Sequence, residues 1–219
     1  MLCLWAKPTL NMKKAMLLLI VLLPGILTYA QSNGGTESGR EGFKSHHAKD
    51  APFYITVSSG LNNNTGIFGV TLELPVSKNV SLEAGIGEGT WGYKAYLGGK
   101  YFLRPHHLGW AFGAGITYCG GLNNFQENLN TVSGYTEPVV LDLNPQTNFM
   151  LAAYRYWRLG RGANRIYMEL GYSVRLTGGD LFDQQDNGSD PIDDNSANTI
   201  KLLAPGGLIA ALGFSFGIR

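Results

Sequence analysis

Cysteine is nearly absent from this chain: of the two it has, Cys3 falls in a segment expected to be removed, which leaves Cys119 alone. A solitary thiol excludes an intrachain disulfide framework and a cysteine metal cluster, and no cofactor is expected. Charge is scarce, at 15% of residues, and its signs nearly cancel, with 17 Lys and Arg against 16 Asp and Glu. Nucleic-acid binding needs basic residues gathered on one face, and no such cluster occurs, so nucleic acid is not an expected partner. No apolar stretch reaches the roughly 20 residues of a membrane-spanning helix; the longest covers 15–27. Beyond it, no segment sustains an i, i+3, i+4 apolar pattern over helical length. A G-x-S-x-G nucleophile elbow is also missing, as is a glycine loop leading into a helix.

What the chain has is glycine and aromatics: 30 Gly beside 11 Tyr, 10 Phe and 4 Trp, a composition suited to short strands and tight turns. Its first part is of another kind. Met12-Lys13-Lys14 is a basic start, the apolar run follows, and Thr28-Tyr29-Ala30 offers small residues for cleavage. Residues 1–30 are therefore expected to be a cleaved signal peptide with an upstream extension, Met12 being the natural start. Its removal takes Lys7, Lys13 and Lys14, leaving 14 basic and 16 acidic residues, formally −2. Residues 31–51 are polar and rich in Gly and Ser, with too little apolar surface to offset the entropy of ordering, and are expected to be a flexible periplasmic lead-in.

From 52 to 219 the apolar residues alternate with period two, in runs at about 52–60, 65–75, 80–87, 92–103, 109–119, 147–159, 165–177 and 207–218. One face of these strands carries Ile55, Val57, Val70, Leu72, Leu82, Ile86, Leu97, Phe112, Ile116, Leu170 and Leu212, without a charge. The other carries Thr56, Thr71, Glu73, Glu83, Lys94, Lys100, Glu169, Arg175 and many Gly and Ser. The run at 147–159 is ambiguous; with Met150, Ala152, Tyr154 and Tyr156 on the apolar face, Arg155 falls on the polar one.

A soluble barrel would turn the apolar face inward, and a membrane barrel turns it outward. Two features favour the second. Aromatics gather near strand ends on the apolar face, Tyr93, Tyr118 and Tyr172 at one end and Phe53, Tyr101 and Trp110 at the other, as in interfacial girdles. The connections at 76–79, 104–108 and 160–164 are short, whereas those at 120–146 and 178–206 are long. Long and short segregate to opposite ends, as external loops and periplasmic turns do. The expected fold class is all-β: an eight-stranded antiparallel up-and-down transmembrane β-barrel in the outer membrane.

The stretches GWAFGAGITY at 109–118, YRYWRLGRGANRIYMELGYSVRL at 154–176 and LGFSFGIR at 212–219 carry a resemblance. In alternation and aromatic placement, 51–219 resembles the small outer-membrane β-barrel proteins of Gram-negative bacteria, especially the porin-like barrels common in Bacteroidetes.

The polar face places Glu73, Glu83 and Glu169 with Lys94, Lys100, Arg155 and Arg175 in the lumen. An eight-stranded barrel is just wide enough for side chains to fill, so these charges are expected to pair and plug it. The connection after the seventh strand carries Asp180, Asp183, Asp186, Asp190, Asp193 and Asp194. Such density could hold Ca²⁺ weakly or bridge to lipopolysaccharide, but the spacing is not that of an EF-hand, and a solvated disordered loop is expected. His46-His47 and His106-His107 are expected at the surface rather than as metal ligands. Ser173 and Ser215, on the lumen face, are candidate nucleophiles of a lipid-modifying enzyme, but all four histidines are expected toward the periplasmic side or in the lead-in. The expectation is a non-enzymatic barrel with a plugged lumen, acting structurally or through its long external loops, with outer-membrane lipid and lipopolysaccharide as partners. The alternatives are passage or binding of a small, hydrophobic solute and, third, lipid modification.

Overall fold

The computed structural model describes residues 51–218 apart from positions 106, 161 and 187. The expected signal peptide and all of the expected lead-in except Ala51 lie outside the described residues, as do His46, His47 and His106. Ala51, the last residue of the expected lead-in, is buried at the foot of the barrel, where its N–H donates to the Tyr54 hydroxyl at 3.4 Å.

Eight strands close on themselves: β1 (Phe53–Leu61), β2 (Phe68–Pro75), β3 (Val80–Gly89), β4 (Gly92–Phe102), β5 (Gly109–Cys119), β8 (Gln146–Arg158), β9 (Arg165–Arg175) and β11 (Gly207–Ile218). Every neighbouring pair is antiparallel, and β1 meets β11 along Phe53↔Ile218 to Leu61↔Ala210. Closure leaves no sheet edge unpaired. Cross-strand partners point the same way, so the register stacks like with like: Val57 lies between Val70 and Phe214 on the outside, and Thr56 between Thr71 and Ser215 on the inside. The Thr56 hydroxyl donates to Ser215 Oγ at 2.8 Å. The apolar residues of the alternation face outward all round the barrel, and the polar ones point inward and are buried, apart from Arg175 at the rim.

The ambiguous strand is β8, and its faces are the reverse of the expected ones. Met150, Ala152, Tyr154 and Tyr156 are buried inside, and Leu151, Arg155 and Trp157 point out. The register with β5 decides this, because Arg155 pairs with the outward Trp110 and Tyr154 with the inward Ala111.

The two long connections are not loops. The first carries β6 (Leu122–Asn130) and β7 (Thr136–Leu143), and the second carries β10 (Phe182–Gln184) and the helix α1 (Asp194–Leu203). These form a three-stranded sheet in the order β10-β7-β6, with α1 packed beside it. Val139, Leu141 and Leu143 supply the buried face, joined by Ile200 of α1, Cys119 of β5 and Trp91 of the β3–β4 turn, while Leu181, Phe182 and Ile192 close over them. The acidic stretch therefore gains enough apolar contact to be ordered, which corrects the expectation of a solvated loop. It also holds a helix, where the sequence pattern showed none. Asp193 caps α1, its carboxylate accepting from the Ser196 N–H at 2.7 Å.

Candidate functional site: the packed lumen and its cap

Glycine makes room for the side chains that fill the lumen. A Cβ on Gly213 would sit 2.3 Å from the Tyr167 ring, and one on Gly115 would sit 2.4 Å from Tyr96. The large rings lie across strand positions that carry no side chain.

At the end that holds the short connections, Arg165 is the central group. Its guanidinium donates to Glu73 Oε2 at 2.5 Å and to the His107 carbonyl at 2.8 Å, and its carbon centre lies 3.7 Å from the Tyr54 ring centroid. His107, expected at the surface, is buried with its ring edge-on to Phe102 at 4.8 Å. In the next layer Lys100 Nζ donates to Glu83 Oε1 at 2.5 Å and to the Tyr156 hydroxyl at 2.6 Å, and it lies 4.0 Å from the Tyr154 ring centroid. Tyr154 in turn donates to Glu169 Oε1 at 2.9 Å. The layers are joined by a cluster of rings in which Tyr156 and Tyr167 stand 5.0 Å apart.

Towards the other end the 62–67 connection folds into the barrel. Asn63, Asn64 and Thr65 are buried, and Asn63 Nδ2 donates to Ser58 Oγ at 2.7 Å. Lys94 clamps this inturned segment, donating to the Asn63 carbonyl at 2.7 Å and to Asn62 Oδ1 at 3.3 Å. The stretch 204–206 runs across the same end, pinned where Thr90 Oγ1 donates to the Leu203 carbonyl at 2.8 Å and Asn62 Nδ2 to the Gly206 carbonyl at 2.5 Å.

Of the seven residues expected to form a lumen network, the structure brings Glu73, Glu83, Lys94, Lys100 and Glu169 inside. Lys94 lies among carbonyls rather than in an ion pair. Arg155 is on the outside, its guanidinium 5.4 Å from the Trp110 ring centroid and 5.9 Å from that of Trp157. Arg175 shares the inward parity but stands at the exposed rim, donating to the Gly179 carbonyl at 3.1 Å. The cation that completes the interior is Arg165, which the sequence reading did not single out. Its signal was present, since it shares parity with Tyr167 and Glu169.

The six aspartates are dispersed. Asp183 accepts from Asn144 Nδ2 at 2.9 Å, Asp190 accepts from the Ser133 hydroxyl, Asp193 caps α1, and Asp180, Asp186 and Asp194 are exposed. Among the described residues no group of three or more His, Cys, Asp or Glu is placed to hold a metal ion. Hydrogen bonds from the Asn124 N–H and from Gln185 hold the Asp142 carboxyl below the usual carboxylate range, and those from Ser196 do the same for Asp193. Ser215 is engaged by Thr56, and Ser173 lies well along β9 from the level of His107.

No family model and no curated protein matches the sequence. Among solved structures, the N-terminal β-barrel domain of Pseudomonas aeruginosa OprF is similar, at 13% identity and a TM-score of 0.39, over 76% of this chain and 98% of that one. At that distance the likeness says nothing of function, which has to come from the chain's own residues.

Proposed function

We propose that the chain is a non-enzymatic outer-membrane barrel with an occluded lumen, whose folded external cap is the part available for interaction. The observation that carries this is the inversion of its two faces. Soluble monomers seldom expose contiguous apolar patches beyond a few hundred Å². Here Leu82, Ile86, Leu97, Phe112, Leu151, Leu170 and Leu212 are all at least half exposed, and Ile55, Val70 and Leu72 of β1 and β2 more than a third, so that apolar surface runs around the full circumference over an interior of buried ion pairs. That arrangement is stable where the surroundings are lipid.

The belt has the right height. From Trp110 to Tyr118 on β5 there are eight steps, which at ~3.3 Å per residue and the ~40° tilt of closed barrels span about 20 Å. A transmembrane barrel shows an apolar band of ~25 Å between aromatic girdles. Outward charge sits at the borders, Arg155 beside Trp110 and Trp157 at one end and Glu88 at the other. Short connections then face the periplasm and the cap faces outward. The lumen, crossed by Arg165–Glu73, Lys100–Glu83 and the inturned 62–67 segment, supports a structural or surface-interaction role over passage of a solute.

The test is twofold. The protein should need detergent for recovery and run differently on gels with and without boiling, and in planar bilayers it should show no steady conductance. Deleting 180–194 should not create one, because the obstruction lies within the barrel. A detergent-free soluble monomer would overturn the membrane reading, and steady ion-selective current would overturn the occluded lumen.

A further inference from the structure

Where the apolar exterior ends beneath the cap, the rim holds a cleft of about 360 Å³ lined by Arg175, Gly179, Asp180, Leu181, Phe182 and Lys201. Two cations from distant parts of the chain, the end of β9 and the last turn of α1, border one space. Among the described residues neither forms an ion pair with a carboxylate. Arg175 is held in place by its bond to the Gly179 carbonyl, and among the described residues the rest of its donor fork has no partner. The Asp180 carbonyl is taken by Asn144, and with the Asp180 carboxylate included the lining carries a net charge of +1.

The neighbours of the two cations say what kind of anion fits. Arg175 stands between Val174 and Leu176, which point to the exterior, and Lys201 precedes Leu202, which is 85% exposed, and Leu203. A small soluble anion gains nothing from an apolar border. A lipid supplies both parts, acyl chains against the leucines and valine and an anionic headgroup to the cations. We infer that this cleft is a binding site for a lipid headgroup bearing phosphate in the outer leaflet, held by Arg175 and Lys201. The inference rests on the membrane reading above and adds a ligand class and two residues to it. The guanidinium takes two phosphate oxygens at once, and the ammonium adds a point charge.

The test uses the intact protein refolded into maltoside micelles, which contain no phosphate, and titrated with phosphatidic acid while retained lipid is counted by native mass spectrometry. A basic residue at a membrane surface contributes about fivefold in affinity, so the Arg175→Gln, Lys201→Gln double variant should bind roughly thirtyfold more weakly. Both side chains are exposed, and the gel shift on boiling reports that the variant is folded. The single variant Lys201→Gln should show about a fivefold loss. Equal retention by the wild type and the double variant would overturn the site. Inorganic phosphate binding as tightly as the lipid would overturn the lipid as its source. Recovery of the protein without detergent would instead bring down the membrane reading beneath it.

Discussion

Replacing Arg165 by Met removes the cation that forms the ion pair with Glu73 in the base of the lumen. The side chain is about 1% exposed, so solvent cannot take over its role. Loss of one partner from a buried ion pair costs about 3–5 kcal/mol, because the other charge stays buried without compensation. The contact with the Tyr54 ring, of a kind worth up to about 2 kcal/mol when desolvated, is part of the same loss and does not add in full. A destabilisation of at least about 3 kcal/mol is expected. Glu73→Gln alone should also be costly, since it strands the guanidinium. The double variant Arg165→Met, Glu73→Gln should be more stable than the sum of the two losses implies, since neither charge remains. The assay is urea unfolding of protein refolded into vesicles, followed by tryptophan fluorescence and the gel shift, with Arg175→Gln as the control at the exposed rim. An Arg165→Met cost below about 1 kcal/mol, or strict additivity in the cycle, would show that the lumen is wet enough to solvate Glu73.

Two further outcomes follow from the packing and the cap. Gly213→Ala forces a methyl against the Tyr167 ring and should cost about 1–3 kcal/mol in the same unfolding assay, with much of it recovered by adding Tyr167→Ala; no cost would mean the ring is free to move. Asp193 titrates below the ordinary carboxylate value because Ser196 donates to its charged form, so its support of α1 is complete above pH about 4 and is lost as pH falls through the lower folded value. Pepsin should therefore cut the 185–206 region faster as pH drops from 4 towards 2, and Asp193→Asn, which caps without a charge, should flatten that dependence.

The barrel was legible because a closed sheet with lipid on one side and packed side chains on the other imposes one simple period. Seven strands obey it without exception at the positions read. In β8 the inward tyrosines pass for apolar girdle residues, while the outward arginine passes for a lumen charge. Gln146 and Asn148, which share parity with Tyr154 and are buried, carried the contrary signal. What parity cannot give is height along the barrel axis. Arg165 and Arg175 lie on the same face of β9, ten residues apart, yet one is in the interior and the other above it. That difference depends on how the strands are staggered, which no single strand encodes. The cap was missed for a different reason. Its aspartates dominate the composition, but a few apolar residues from two separated connections meet only in three dimensions, and the alternation Val139, Leu141, Leu143 reads as a strand only once β10 is beside it.

The cap and the barrel are joined at Trp91, and this makes a last prediction possible. The indole is about 2% exposed, packs with Val139, Leu141 and Leu143, and donates from Nε1 to the Asn144 carbonyl at 2.9 Å. It comes from the two-residue turn between β3 and β4, so the barrel ladders do not depend on it: β3 and β4 pair from Val80↔Tyr101 to Gly89↔Gly92 through backbone alone. Truncating a buried Trp to Ala costs about 3–5 kcal/mol. In Trp91→Ala that loss falls on the small apolar cluster of the cap, which has little else to spend against its own ordering entropy. The cap should open while the barrel stays closed. Limited proteolysis of the folded variant in micelles should cut within 122–143 and 182–203 at concentrations that leave the wild type intact, and the gel shift on boiling should persist. If the gel shift is lost with the cap, the two are a single cooperative unit and the barrel does not stand alone.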